Sequence, residues 1–332
     1  MILVTGGTGF VGRSLVAALV ARGRAVRVLT RSPARAAALP AAVETVVGNV
    51  LDRPSLKGAL DGVDAVVHLA ASHVADGAGA ERNAAVNATG TDNLVTEART
   101  ARVRRFILIS SASVYGMRDG SFCHRETDVP EPSTTYGRSK LAAEGIVAAM
   151  GDRAGTRWVI LRPTDIFGRG SGSWERLIDR VRRRRVWVHA GPPAFIHPVY
   201  IDDVVGCGIR ALENDSLHRM VLNISGEASI PYPKLLETIA EACATKLVQV
   251  QIPTGLTRVP AVLTAWALRS AGRSPSFSLV RMGWRSDRRD IDSSKARELL
   301  GLSPTPLLQA MRITVGSINA PESEAGLRSA VR

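Results

Sequence analysis

Two periods alternate along the first half of the chain. Short apolar runs rich in Val, Ile and Leu read as buried parallel strands over Met1–Thr5, Ala25–Arg31, Val43–Gly48, Ala65–Leu69, Phe106–Ser110 and Arg157–Leu161. Between them, apolar residues recur at helical spacing over Val11–Arg22, Pro54–Leu60, Arg82–Arg99 and Tyr136–Met150. Such alternation predicts right-handed crossovers and an α/β fold built on a doubly wound parallel sheet. After Pro163 the rhythm changes. Trp174–Arg184 reads as a helix, Val199–Leu212 as a strand end running into a helix, and Met220–Ile224 as a buried strand. Tyr232–Cys243 and Ala261–Ala271 read as helices, and Ser293–Leu300 and Leu307–Ser317 close the chain. Pro- and Gly-rich joints predict a large lobe over 1–165 to which 199–226 return. A smaller, mostly helical lobe is expected from 166–198 and 227–318, with a flexible tail over 319–332.

Composition changes this picture little. A chain of 332 residues, 45% apolar, suits one large α/β unit or two unequal lobes. The formal charge is +13, but only five of the 43 basic residues are Lys, so Arg is used heavily throughout. The densest run, Arg180-Val181-Arg182-Arg183-Arg184-Arg185, fits the solvated C-terminal turn of a helix, where cations suit the dipole. An anionic substrate, an acidic partner or a membrane surface stays open as its partner. No nucleic-acid-binding motif accompanies the charge, so no nucleic-acid partner is expected. Cys123, Cys207 and Cys243 are scattered, which points to a reducing compartment, no disulfide framework and no metal. The first strand starts at once and no apolar run is long enough to span a bilayer. The expectation is a soluble, cytoplasmic chain, with peripheral membrane contact left open.

The first strand ends in Thr5-Gly6-Gly7-Thr8-Gly9-Phe10-Val11-Gly12, and a helix follows immediately. Gly6 permits the tight turn, Gly9 lets backbone approach a pyrophosphate, and Gly12 lets the helix sit close to the strand. The free N–H groups of that helix, with its dipole, suit a dinucleotide's phosphates. The second strand ends Val28-Leu29-Thr30-Arg31-Ser32, with Arg35 one turn on. No carboxylate is there to read a ribose 2′-hydroxyl, whereas a guanidinium and a hydroxyl are present. Arg31 and Ser32 therefore favour NADP(H), with NAD(H) as the alternative.

Tyr136-Gly137-Arg138-Ser139-Lys140 sets a phenol and an ammonium at i and i+4 on one helical face. An ammonium nearby would favour the phenolate and let the phenol exchange a proton with a substrate oxygen. The fifth strand leads into Ser110-Ser111-Ala112-Ser113-Val114-Tyr115-Gly116. A hydroxyl from Ser111 or Ser113 stands where ligands bind in open α/β sheets and could donate to a carbonyl oxygen.

Together these residues resemble the extended short-chain dehydrogenase/reductases, or NAD-dependent epimerase/dehydratase family. The resemblance covers nearly the whole chain. It runs through the Thr5–Gly12 loop, Gly48-Asn49-Val50-Leu51-Asp52, His68-Leu69-Ala70-Ala71 and Asn87 with Gly90-Thr91-Asp92-Asn93-Leu94. It continues through Ser111–Gly116, Tyr136–Lys140, Leu161-Arg162-Pro163 and Tyr200-Ile201-Asp202-Asp203-Val204, and ends in Asp292-Ser293-Ser294-Lys295-Ala296 with Leu299-Leu300-Gly301 and Pro304. It implies a Rossmann dinucleotide-binding domain in the large lobe and a substrate-binding small lobe. It implies that Ser111, Tyr136 and Lys140 are catalytic. It places Gly6, Gly9, Phe10, Val11, Gly12, Asn49, Val50, Leu69, Ala70, Ala71 and Pro163 around the cofactor, with Tyr136 and Lys140 beside it. Asn87 would support the site. Dimers form in the family through the helices that precede the fifth strand and carry Tyr136, so a homodimer is an expectation.

Departures from the family pattern narrow the function. Ala112 and Ser113 stand where sugar dehydratases need carboxylates, and Ile196 stands where many sugar-nucleotide enzymes carry a diphosphate-binding Arg. Trp174, Trp187, Phe195, Tyr200, Trp266 and Phe277 are available to line an apolar cavity, and Leu256–Arg273 is amphipathic. The second half resembles the 3β-hydroxysteroid dehydrogenase and dihydroflavonol-reductase-like branch. The expected reaction is NADP(H)-dependent interconversion of a ketone and a secondary alcohol on a largely apolar small molecule. His73, Ser113, Asp165, Trp174 and Tyr200 are the candidate substrate contacts. Two alternatives stay open: a nucleotide-sugar epimerase or 4-ketoreductase, and a non-catalytic dinucleotide-binding sensor.

Overall fold

The computed structural model describes residues 1–73, 79–116, 121–150, 155–190, 193–252 and 288–319. Its centre is a seven-stranded, all-parallel sheet built from β1 (Ile2–Thr5), β2 (Val26–Thr30), β3 (Glu44–Val47), β4 (Ala65–His68), β5 (Arg105–Ile109), β7 (Arg157–Pro163) and β12 (Met220–Ile224). Phe122–His124 forms the short intervening β6 outside this sheet. The order β12-β7-β5-β4-β1-β2-β3 reverses direction after β1, the doubly wound arrangement. Because every strand is parallel, all the C-terminal ends open onto one edge.

Alternation along the strands divides the core in two. Val4, Val28, Val67, Ile107 and Val159 face α1 (Phe10–Ala21) through Leu15 and Leu19, and α8 (Ile201–Glu213) through Val204 and Val205. Leu3, Leu29, Val66, Phe106, Leu108 and Ile160 face the other way. They meet Leu56 of α3 (Pro54–Ala59), Leu94 of α5 (Gly90–Thr100) and Val147 of α6 (Thr135–Ala148). Burying side chains on both faces explains why the central strands read as continuous apolar runs. Residues 199–226 carry α8, which packs on α1, and β12, which pairs with β7 in parallel.

The structure differs from the sequence reading in three places. The run at 43–48 was expected to be buried, yet β3 is an edge strand, with Glu44, Thr45 and Val47 exposed. One side of it has no partner strand, so burial is incomplete. The helix expected over 82–99 is interrupted: α4 (Ala80–Ala84) passes through a π turn at Ala85–Thr89 before α5. Four two-stranded ribbons were not foreseen. They pair β6 with β15 (Arg289–Ile291), β8 (Asp165–Phe167) with β11 (Pro198–Tyr200), β9 (Val186–Ala190) with β14 (Val248–Ile252), and β10 (Phe195–Ile196) with β13 (Ile230–Pro231). Around them lie α7 (Gly172–Arg183), α9 (Tyr232–Ala242), α10 (Ser294–Leu300) and α11 (Leu307–Asn319). The helix expected at 261–271, with Trp266 and Phe277, lies outside the described residues, as does the tail beyond Asn319. No described helix is long and apolar enough to cross a membrane.

Candidate active site

The Gly-rich turn closes as its spacing predicts. Gly6 has φ +72°, and a Cβ there would stand 2.6 Å from the Ala70 backbone nitrogen. At Gly12 a Cβ would come within 2.1 Å of the Gly6 carbonyl oxygen. Backbone therefore occupies the space a side chain would need. α1 starts at Phe10 with no side-chain cap at Gly9. The first-turn N–H groups of Phe10, Val11 and Gly12 have no intrahelical partner and stand ready for an anion. Leu69, Ala70 and Ala71 follow β4 directly beside this turn, with Leu69 donating its N–H to Thr5 O at 3.0 Å. Asn49 and Val50 follow β3. Asn93 Nδ2 donates to Val50 O at 3.0 Å, which ties the loop to α5. Arg31 and Arg35 are exposed beyond the end of β2, and Thr30 Oγ1 accepts from the Ser32 N–H at 3.2 Å.

Beneath the loop runs a buried polar chain. Thr5 Oγ1 is 2.6 Å from His68 Nδ1, and His68 Nε2 is 2.9 Å from Thr91 Oγ1. Thr91 donates to Asn87 O at 2.6 Å. Asn87 Nδ2 donates to Ser139 Oγ at 2.9 Å, and Ser139 donates to Tyr136 O at 2.8 Å. Burial, with the Lys140 charge second, pushes His68 down to about 3, so its ring is neutral. The π turn places Asn87, buried, on this chain. Hydrogen bonds thus connect the Gly-rich turn to α6.

Three groups named from sequence meet at the C-terminal ends of the central strands. Thr134 caps α6 by accepting from the Gly137 N–H at 3.0 Å, which fixes the turn bearing Tyr136. The Ser111 side chain lies beside the Tyr136 phenol and favours its ionised form. Burial pushes the phenol up to about 12, opposed by the Ser111 side chain, so the phenol is protonated near neutrality. Lys140 Nζ donates to Ile109 O at 2.6 Å. Burial pushes Lys140 down to about 8, opposed by the Glu144 carboxylate one turn on. The expectation that Lys140 lowers the phenol is not what this state displays: the ammonium is engaged by backbone, and burial dominates at Tyr136. Pro163, buried, ends β7 on the same edge.

The candidate substrate residues separate. His73 stands edge-on to Tyr136, with ring centroids 4.5 Å apart and planes at 80°. Ser113 Oγ is buried and lacks a hydrogen-bond partner. Asp165 is exposed and accepts from the His197 N–H at 3.3 Å. Trp174 and Tyr200 are both buried against Phe167, with centroids at 5.2 and 5.6 Å, and pack within the core. Their aromatic area is better shielded there than in a solvated cleft.

Sequence reasoning missed the ion pair under the site. Arg162 binds Glu144 through Nε at 3.0 Å and Nη2 at 2.6 Å, and Ser110 Oγ donates to the same carboxylate. Arg162 Nη1 also donates to Tyr115 Oη at 2.8 Å, which donates to Asn223 Oδ1 at 2.8 Å. The Lys140–Glu144 spacing of four was the available signal.

A model of the NAD dependent epimerase/dehydratase family matches residues 2–225. The sterol demethylase protein B of Methylococcus capsulatus is 32% identical over 313 residues, covering 91% of this chain and 93% of that protein. A 3 beta-hydroxysteroid dehydrogenase/Delta 5-->4-isomerase of Mycobacterium tuberculosis is 34% identical over 200 residues, 57% of this chain and 54% of that one. The solved UDP-N-acetylglucosamine 4-epimerase from Bacillus cereus overlays with a TM-score of 0.76 at 24% identity. That overlay covers 96% of this chain and 99% of the other, and it shows the shared fold.

Proposed function

The chain belongs to the NAD-dependent epimerase/dehydratase family and is an NAD(P)-dependent oxidoreductase of the extended short-chain type; from that premise we propose that it interconverts a ketone and a secondary alcohol on a largely apolar small molecule, using NADP(H). The observation that carries this reading is the Tyr136–Ser111 pair at the sheet edge, with the phenol protonated. A protonated phenol and a hydroxyl can both donate to a carbonyl oxygen, and the phenol can surrender its proton as the oxygen becomes an alkoxide.

The residues fit a dinucleotide. Phe10, Val11 and Gly12 would offer their N–H groups to the phosphates, and Asn49, Val50 and Leu69–Ala71 would flank the adenosine. Pro163 would border the nicotinamide, which supplies hydride when bound. Lys140 would hold the ribose near Tyr136. Arg31, exposed and with no carboxylate at the end of β2, supports the 2′-phosphate.

The chain's own chemistry is then brief. Ser111 and Tyr136 Oη orient the substrate oxygen, and Tyr136 delivers the proton in reduction or takes it in oxidation. His73, edge-on to the phenol, would restrict how the substrate approaches. The orphaned Ser113 hydroxyl would accept or donate to a polar group on the substrate. The names of the two relatives refer to sterols and steroids, which supports an apolar substrate. Residues 166–198 and 227–318 are assigned to the substrate lobe, and the rest through 226 to the dinucleotide lobe.

The test is to incubate the purified chain with NADPH and parallel panels of apolar ketones and UDP-sugars. Ketone-dependent NADPH oxidation supports the reading. Turnover confined to UDP-sugars would make the chain a sugar-nucleotide enzyme instead.

A further inference from the structure

The Arg180–Arg185 run leads directly into a surface that the proposed reaction does not use. β9 and β14 pair in parallel, with Val186 opposite Val248 and Val188 opposite Val250. All four valines are between 45% and 58% exposed. They account for four of the nine large hydrophobic side chains that stand exposed among the described residues, on a ribbon of ten residues. The period of two explains the arrangement. Trp187 turns inward onto the core, and His189 Nε2 meets Gln249 Oε1 at 2.5 Å on the inner side. The outer side is left apolar.

Cations border this face. Arg184 and Lys246 lie two residues before the paired Val186 and Val248, and both are exposed, as is Arg185. Arg184 has extended backbone, φ −101° and ψ 129°, so the alternation carries back to it. The same period puts the Arg184 side chain at the entry end of the valine face, and the exposed Lys246 lies two residues before β14 at that same end. Four half-exposed valines offer on the order of 300 Å², well short of the about 800 Å² per partner of a stable dimer. A shallow apolar face with a cationic border is instead what an anionic lipid surface accepts: the valines enter the acyl boundary and the arginines meet the headgroups.

We propose that the β9–β14 ribbon is a peripheral docking face for anionic phospholipid bilayers. The inference stands whether or not the substrate is the one proposed above.

Vesicle flotation of the full chain tests it, comparing phosphatidylcholine alone with mixed phosphatidylcholine and phosphatidylglycerol. Wild type should float with the anionic vesicles only. Arg184→Glu with Lys246→Glu should weaken partitioning by at least about tenfold. Val188→Thr with Val250→Thr should weaken it severalfold while keeping the β-branched shape, and unchanged thermal unfolding would show that both variants fold. No flotation of a folded wild type, or flotation indifferent to the valine pair, overturns the proposal. So does a solution dimer that the valine pair splits, since the face would then be a subunit contact.

Discussion

Arg162 and Glu144 form a buried ion pair, Nη2 to Oε2 at 2.6 Å, joining the last residues of β7 to the helix that carries Tyr136 and Lys140. Each partner has further hydrogen bonds, to Tyr115 and Ser110, so the charges are compensated where water cannot reach them. Glu144→Gln removes the negative charge and strands the guanidinium. We expect it to cost about 3–5 kcal/mol in urea unfolding. Glu144→Gln with Arg162→Met should cost less than the two single changes summed. Additive losses would show that the pair is not coupled.

His68 makes stability depend on acid. Its folded-state value lies near 3, below the ordinary value of 6.5, because burial penalises the imidazolium. Between those limits the unfolded chain binds a proton that the folded chain does not, so this contribution to stability is lost as pH falls from 6.5 towards 3. The slope is about 1.4 kcal/mol per pH unit. His68→Gln should therefore unfold with a shallower acid dependence over that window, even though it weakens the bonds to Thr5 and Thr91. An unchanged slope would mean that His68 is not buried neutral.

Cofactor choice is expected to rest on Arg31. Arg31→Asp replaces a bidentate phosphate ligand with a group that suits a ribose 2′-hydroxyl. NADP(H) affinity should fall at least about tenfold while NAD(H) binding improves, as read by fluorescence titration. If NADP(H) affinity holds, Arg31 does not read the phosphate.

The sheet and the Gly-rich turn were legible because each rests on a local rule. Runs buried on both faces, and glycines where backbone meets backbone, leave their mark within a few residues of sequence. The interrupted α4–α5 helix was not legible, since a single π turn leaves the α-helical apolar spacing on either side of it in place. Neither were the ribbons, whose partners, such as Phe122 and Arg289, lie far apart in the chain. Trp174 and Tyr200 show a second limit: an aromatic residue has the same pattern whether it lines a cavity or packs on Phe167. At the site, Tyr136 was named by its spacing from Lys140 and Ser111 by its place after the fifth strand, and the Ser111 side chain acts on the Tyr136 phenol. The phenol's shift followed burial, which the i,i+4 relation to Lys140 does not reveal.

Tyr136→Phe tests the central claim most directly, because it removes one oxygen and leaves the ring against His73. Ketone-dependent oxidation of NADPH should fall by a factor of about 10² to 10⁴, while the dissociation constant for NADPH stays within about twofold. Undiminished turnover in that variant would contradict the account.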